Sequence, residues 1–337
     1  MIRQSLAVVH VVGRFVVASD ASPNTAIMTF SVRVGATVEV CGAFMACLLL
    51  SGACKAASLT LFPPAAAPAA QFAGVLLTLP LVYGARLRPR QPLLRAFTSV
   101  CAALARALSP QRALSGPGAV ALLFHAGALA HLLRAAGGRR GDWGGAAARL
   151  SLCATPTALV WAPLQEEALF RGALFYVALH RSGGDSVLAG GLSAAVFAAV
   201  HLPNGVAAGA SSAYVGLQTV AAACAGAAYT ALFALRGSLA EVALLHAANN
   251  AVAVAWLAGE PGGACALAPP PEGERRNLGM ALLAAQVAAY AVTGFAAAAR
   301  LRAVLAGDEA RSGREFKDRH GVVYGGEREA VEREGKE

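Results

Sequence analysis

Residues 165–172 read QEEALFRG, two adjacent carboxylates and a guanidinium set in a run of alanine, leucine and phenylalanine. Three bare charges in such surroundings cost several kcal/mol unless they are paired or used. Positions four apart on an α-helix lie about 40° from each other around its axis. Glu167 and Arg171 have that spacing and can pair as carboxylate and guanidinium. Glu166 points about 100° away from Glu167 and is left without a cation. A desolvated carboxylate in that position suits a general base, which takes a proton from water. Two later stretches carry polar groups of the same kind. FAAVH (197–201) places His201 at the end of an apolar run just before LPNG, where a helix ending at a membrane boundary would meet water. HAANN (246–250) places His246 and Asn250 four apart on one face, able to offer N–H donors to a developing oxyanion.

Each stretch alone has a plainer reading. A Glu–Arg pair is often structural glue in a bundle, and a single histidine is more often a hydrogen-bonded core residue than a catalyst. The weight comes from all three occurring in order on three apolar helices. His125 and His131 make a contrast: six apart, they lie about 120° from each other with no other charge in their span, and read as structural. Other hydrolase signatures are absent, namely the HExxH zinc helix, the GxSxG elbow and the P-loop. SGGDS (182–186) lacks the GxGD order of intramembrane aspartic proteases.

The elements that must position these residues follow from composition. The chain has 337 residues, of which 57% are hydrophobic and only 14% charged. That balance belongs to a polytopic helical membrane protein rather than to a soluble two-domain chain. Strand alternation is absent, so a bundle of helices must satisfy the backbone in lipid. The predicted fold is all-α, a polytopic transmembrane bundle of about seven to nine helices rich in Ala and Gly, residues that let helices approach closely. Apolar runs fall at 35–53, 70–85, 93–108, 118–133, 186–201, 215–235, 238–259 and 278–299, and a long helical stretch over about 146–180 carries QEEALFRG. Of these, 93–108 is weakly apolar and suits the membrane surface.

This divides the chain into an N-terminal lead-in or transit segment (1–34), N-terminal transmembrane helices (35–145) and a core with the three motifs (146–258). A loop with the last transmembrane helix (259–300) and a charged, solvated tail (301–337) complete it. The net charge of +9 resides in short loops such as 85–95 and 132–143, where membrane proteins keep Lys and Arg, so nucleic acid is not an expected partner. The seven cysteines form no CxxC pair and read as small packing residues.

EEALFRG, FAAVH and HAANN together resemble the EExxFRG, FxxxH and HxxxN motifs of the CPBP (Abi-like) family, which includes the CAAX proteases and bacteriocin-processing enzymes. WAPLQ before the first motif and AYTALFALRGSLAEVALLH (228–246) before the third suit the same pattern, and the likeness covers about 146–258. The resemblance implies an intramembrane endopeptidase, with CAAX-box processing as the leading activity: removal of the last three residues after a prenylated cysteine. It implies that Glu166 and His201 activate the attacking water, that His246 and Asn250 form the oxyanion hole, and that Glu167 and Arg171 hold the first motif helix. Phe170 and Phe197 match motif aromatics and read as packing.

No cofactor is expected. Zinc is the alternative, held by His201, His246 and Glu166 as a His₂Glu set. The glutamate mechanism is favoured because the Glu pair with its own Arg reads as an ion pair plus a base, and because HxxxN puts an amide where a zinc site needs none. The expected partners are a lipidated or membrane-bound protein or peptide substrate and membrane lipids. The expected location is a multi-pass position in the endoplasmic reticulum for a prenyl-protein protease. The two asparagines of HAANN are similar to bacterial and plastid members, which keeps a plastid membrane or a bacterial-type plasma membrane open. Two other functions compete. A non-proteolytic scaffold or binding protein on the same fold would be free to lose Glu166, His201 or His246, and all are kept. A transporter often shows related halves, whereas here the motifs are confined to the C-terminal half.

Overall fold

In the computed structural model, residues 114–137, 157–182, 185–207, 212–258 and 274–306 are described as continuous stretches, with isolated positions between 34 and 109. The expectations for the lead-in, for the runs at 35–53, 70–85 and 93–108, and for the loop and tail beyond the last helix fall wholly or mostly outside these residues. Among the described residues every regular element is helical and no strand occurs.

The first continuous helix, α1 (Gly116–Gly137), begins at Ser115, whose hydroxyl accepts from the Gly118 N–H at 3.0 Å. The motif helix follows as alternating winding: a π turn (Thr157–Trp161), α2 (Ala162–Leu169), a second π turn (Phe170–Leu174) and α3 (Phe175–Arg181). Then come α4 (Ser186–Ala207), α5 (Ser212–Arg236), α6 (Leu239–Ala258) and α7 (Glu274–Ala306). Asp185 caps α4 by accepting the N–H groups of Val187 and Leu188 at 3.0 and 2.9 Å. Gly237 ends α5 at φ 64°, its N–H bonded to the Phe233 carbonyl, a left-handed C-cap that costs glycine nothing. Ser238 then caps α6 through the Glu241 N–H, so α5 and α6 are joined by the shortest of turns.

The packing order is set by small residues. Helix α5 lies between α4 and α7 and makes its most extensive contacts with them. A Cβ on Gly226 would sit 3.1 Å from the Ala194 Cα, and one on Gly294 would sit 3.3 Å from the Ala228 Cα, so both seams depend on glycine facing alanine. The main core gathers Phe170, Leu174, Phe175, Leu192, Phe197, Tyr229, Leu232, Phe233 and Leu245. Helix α1 packs on α6 and α7.

Glu241 supplies an unforeseen tie. The stretch SLAE (238–241) has the pattern of a capping box, in which the glutamate would turn back to its own helix end. Instead its carboxylate is buried against the start of α1, accepting from the Ser115 N–H at 2.7 Å and the Ser115 hydroxyl at 2.5 Å. A negative group at a helix N-terminus is favourable. Gly118 leaves the room, because a Cβ there would collide with Glu241 Oε1. Gly118→Ala should therefore destabilise the bundle by about 1–3 kcal/mol. Gly127→Ala on the same helix, where a Cβ meets nothing within 4 Å, should leave the thermal midpoint in detergent unchanged. Equal midpoints for the two variants would remove the tie from the account.

Two sequence expectations need correction. His201 does not end its helix: α4 runs on to Ala207 through Pro203. Proline there only removes one N–H, leaving the Ala199 carbonyl without its ordinary helical donor, which a bundle tolerates. The motif segment is also not one regular helix, since two π turns interrupt it.

Candidate active site

Pro163 lies in the first turn of α2, where its missing N–H is no loss. From there Glu166 and Glu167 project on α2 and Arg171 on the second π turn. The π winding passes the Phe175 N–H to the Phe170 carbonyl, which also accepts the Ser193 hydroxyl of α4 at 3.0 Å. Such turns often mark functional stretches of a helix.

Glu167 and Arg171 are both fully buried. Arg171 Nη1 donates to Glu167 Oε1 at 3.0 Å, and Nη2 donates to the Gly226 carbonyl of α5 at 3.0 Å. Its guanidinium also lies over three rings, with centroids at 4.7 Å (Phe197), 5.3 Å (Tyr229) and 5.8 Å (Phe170). The structure thus brings together the pair expected from spacing, and adds a partner that spacing within one helix does not show. Glu167 Oε1 also accepts His246 Nδ1 at 2.8 Å.

That contact settles a proton. A carboxylate accepts only, so His246 Nδ1 carries hydrogen and its Nε2 is the working edge. Glu166 Oε2 lies 3.7 Å from that Nε2, within ion-pair range but beyond a hydrogen bond. The Glu166 side chain is 34% exposed, against 5% for His246, so it is the member of this pair that solvent reaches. His201 shows the same logic from the other side. Its Nδ1 lies 2.7 Å from the Phe197 carbonyl and must donate there, which leaves Nε2 as a lone-pair acceptor. Both imidazoles pack on the Phe197 ring, at 4.6 Å for His201 and 5.7 Å for His246. Phe197 is therefore more than filling: one buried ring spaces both histidines and covers the guanidinium.

Asn250 stands one turn beyond His246 on α6. Its Nδ2 donates to the Ala158 carbonyl in the first π turn at 2.9 Å, tying the third motif to the start of the first. One amide N–H remains for other use.

Residues 148–252 match the family model described as type II CAAX prenyl endopeptidase, Rce1-like. This match covers just under a third of the chain and is similar in description to the CPBP-type proteases that the three motifs resemble. No curated protein and no solved structure gives a significant match to the chain. The Rce1-like segment holds all six residues singled out by motif, while α1 and α7 lie outside it.

The Rce1-like site balances its own charge. Glu166 and Glu167 bring two negative charges and Arg171 one positive, so a protonated His246 makes the group neutral, the least costly state for ions away from water. Zinc is the alternative for the same side chains. Among the described residues no group of three or more His, Cys, Asp or Glu side chains is disposed to hold a metal ion. His201, His246 and Glu166 are not grouped as metal ligands in this arrangement.

Sequence reasoning did not find Tyr229, whose ring stacks on His246 at 5.8 Å and 28°. Nor did it find the pairing of Glu39 with Arg181 at 2.7 Å, which links the first apolar run to the end of the motif helix. Glu39 left a signal, a carboxylate alone in an apolar run. Tyr229 left none, because nothing in its local sequence separates it from other packed aromatics.

Proposed function

We propose that the chain is an intramembrane endopeptidase whose water nucleophile is activated by Glu166 with His201, and whose oxyanion is held by His246 and Asn250. The observation that carries this reading is the His246 clamp. Nδ1 is fixed by buried Glu167 while Nε2 faces Glu166 across a 3.7 Å separation, a partly exposed carboxylate opposite an oriented imidazole. In the reaction, Glu166 takes a proton from water as its oxygen bonds to the scissile carbonyl carbon. His201 Nε2 accepts a hydrogen bond from the same water and holds its direction. The carbonyl oxygen gains the negative charge and meets His246 Nε2–H and the free Asn250 amide N–H. The C–N bond then breaks, and the proton on Glu166 passes to the leaving nitrogen. Glu167 and Arg171 carry the frame and take no proton.

The rest of the proposal concerns setting and substrate. The body is read as a polytopic bundle of seven to nine helices. Val215–Arg236 and Ala281–Ala299 are long and apolar enough to cross a membrane, and Gly116–Leu132, Ser186–Leu202 and Leu239–Val254 are shorter apolar helices. The family description, type II CAAX prenyl endopeptidase, supports a prenylated protein substrate, and the endoplasmic reticulum is the compartment proposed with it.

The deciding experiment is peptide release by the purified protein from a farnesylated C-terminal CaaX peptide, with its unprenylated twin as control. Release of the tripeptide from the farnesylated peptide alone is expected, and it should survive a membrane-accessible chelator. Cleavage of both peptides alike would remove the prenyl substrate and keep the protease. Loss on chelation with recovery on adding zinc would overturn the metal-free mechanism. No cleavage of either peptide, or of a membrane-bound substrate, would favour the scaffold reading.

A further inference from the structure

Behind His246 lies a buried polar cluster that the reaction does not use. The Tyr290 hydroxyl on α7 lies 2.7 Å from the Tyr229 hydroxyl on α5, 2.8 Å from His125 Nε2 on α1, and 3.1 Å from Asn249 Oδ1 on α6. Asn249 Oδ1 accepts a second hydrogen bond from Gln286 Nε2 of α7 at 3.1 Å. One oxygen thus joins four helices. Its protons can be counted. Asn249 Oδ1 can only accept, so Tyr290 gives its single proton there. Tyr229 O–H and His125 Nε2–H must then both donate to Tyr290. Every hydroxyl in the cluster is satisfied in this arrangement, and His125 Nδ1 is left as the buried atom without a hydrogen-bond partner among the described residues.

The cluster reaches the site in two ways. The Tyr229 ring stacks on His246 and lies under Arg171, and Tyr229 is held from its far end by Tyr290. Asn249 is the chain neighbour of Asn250. We propose that Tyr290, on a helix outside the Rce1-like segment, is a positioning residue for that site: its hydroxyl fixes the Tyr229 ring against His246 and the Asn249 turn beside Asn250. The consequence is that α1 and α7 contribute to the geometry of a site whose chemistry they do not touch. The catalytic half of this inference rests on the protease reading above.

The test uses the full-length protein in detergent, comparing wild type, Tyr290→Phe, Tyr229→Phe and Val292→Ala. Val292 is exposed on α7 and serves as a control on the helix itself. Exchange of the His246 ring C2–H for deuterium, read residue by residue by mass spectrometry, needs no substrate. Both Tyr→Phe variants keep the ring and lose the tether, so His246 exchange should rise by about threefold or more, with no change in Val292→Ala. In peptide release, kcat should fall about tenfold with KM unchanged, because a small misplacement of a catalytic group acts on the chemical step. Wild-type exchange in either folded Tyr→Phe variant would overturn the proposal. So would a kcat loss that merely follows a fall in thermal midpoint. Should Tyr290→Phe not fold, Tyr229→Phe removes the same hydrogen bond from its other end and decides alone. A wild-type protein that cleaves nothing defeats the protease reading, and the exchange result still decides whether Tyr290 positions His246.

Discussion

Glu166→Gln should lower peptide release by about 10²–10⁴-fold, the usual loss when a positioned general base is removed. The substitution keeps the size and much of the hydrogen-bonding shape, so only proton acceptance is taken away. The geometry leaves the fold nearly indifferent to it. Glu166 is the partly exposed carboxylate and has no hydrogen bond within the protein from its buried oxygen, whereas Glu167 carries both the guanidinium and the imidazole. The variant should melt like wild type and still bind a lipidated peptide. A Glu166→Gln enzyme with wild-type turnover would take the base away from Glu166 and send the search to His201.

Arg171→Ala has the opposite signature, a loss of the fold before any loss of chemistry. The side chain is among the largest fully buried ones, and it answers a buried carboxylate, a helix carbonyl and three aromatic faces at once. Removing it strands Glu167 as an uncompensated charge and should cost about 3–5 kcal/mol. Arg171→Lys is no rescue, since a single ammonium cannot reproduce the planar fork that reaches Glu167 and Gly226 together. Thermal-shift measurements in detergent check this. A wild-type midpoint for the alanine variant would mean that the pair is dispensable and that Glu167 is held by other means.

How far these groups could be read from sequence depends on where their partners sit. The Glu167–Arg171 pair was legible because both ends lie one turn apart on one helix. The second partner of Glu167 was not, since His246 stands on α6 and helical spacing carries no information across helices. The same limit applies to Asn250. Its spacing from His246 marked it as an oxyanion donor, and nothing local announced that one amide hydrogen is already given to Ala158. The all-helical fold followed from composition and from the absence of alternation. The π turns did not, because wheel arithmetic assumes regular winding and Pro163 alone does not say what winding precedes it. The end of α4 was misplaced for a related reason: the apolar run ends at His201, while the helix itself carries Pro203 and goes on to Ala207. Tyr290, His125 and Gln286 each look like single polar residues in apolar runs. Only the fold shows that they converge on one hydroxyl.

The glycine–alanine seams of α5 have a thermal consequence. Alanine and glycine have no side-chain torsions to lose, so bringing Gly226 against Ala194 and Gly294 against Ala228 freezes no rotamers. The Gly226 carbonyl that receives Arg171 is therefore placed by close backbone approach, with the Thr230 hydroxyl donating to it as well at 2.8 Å. Warming has no side-chain disorder to release at these seams. Their grip on the guanidinium should weaken only gently with temperature, until the helices themselves part.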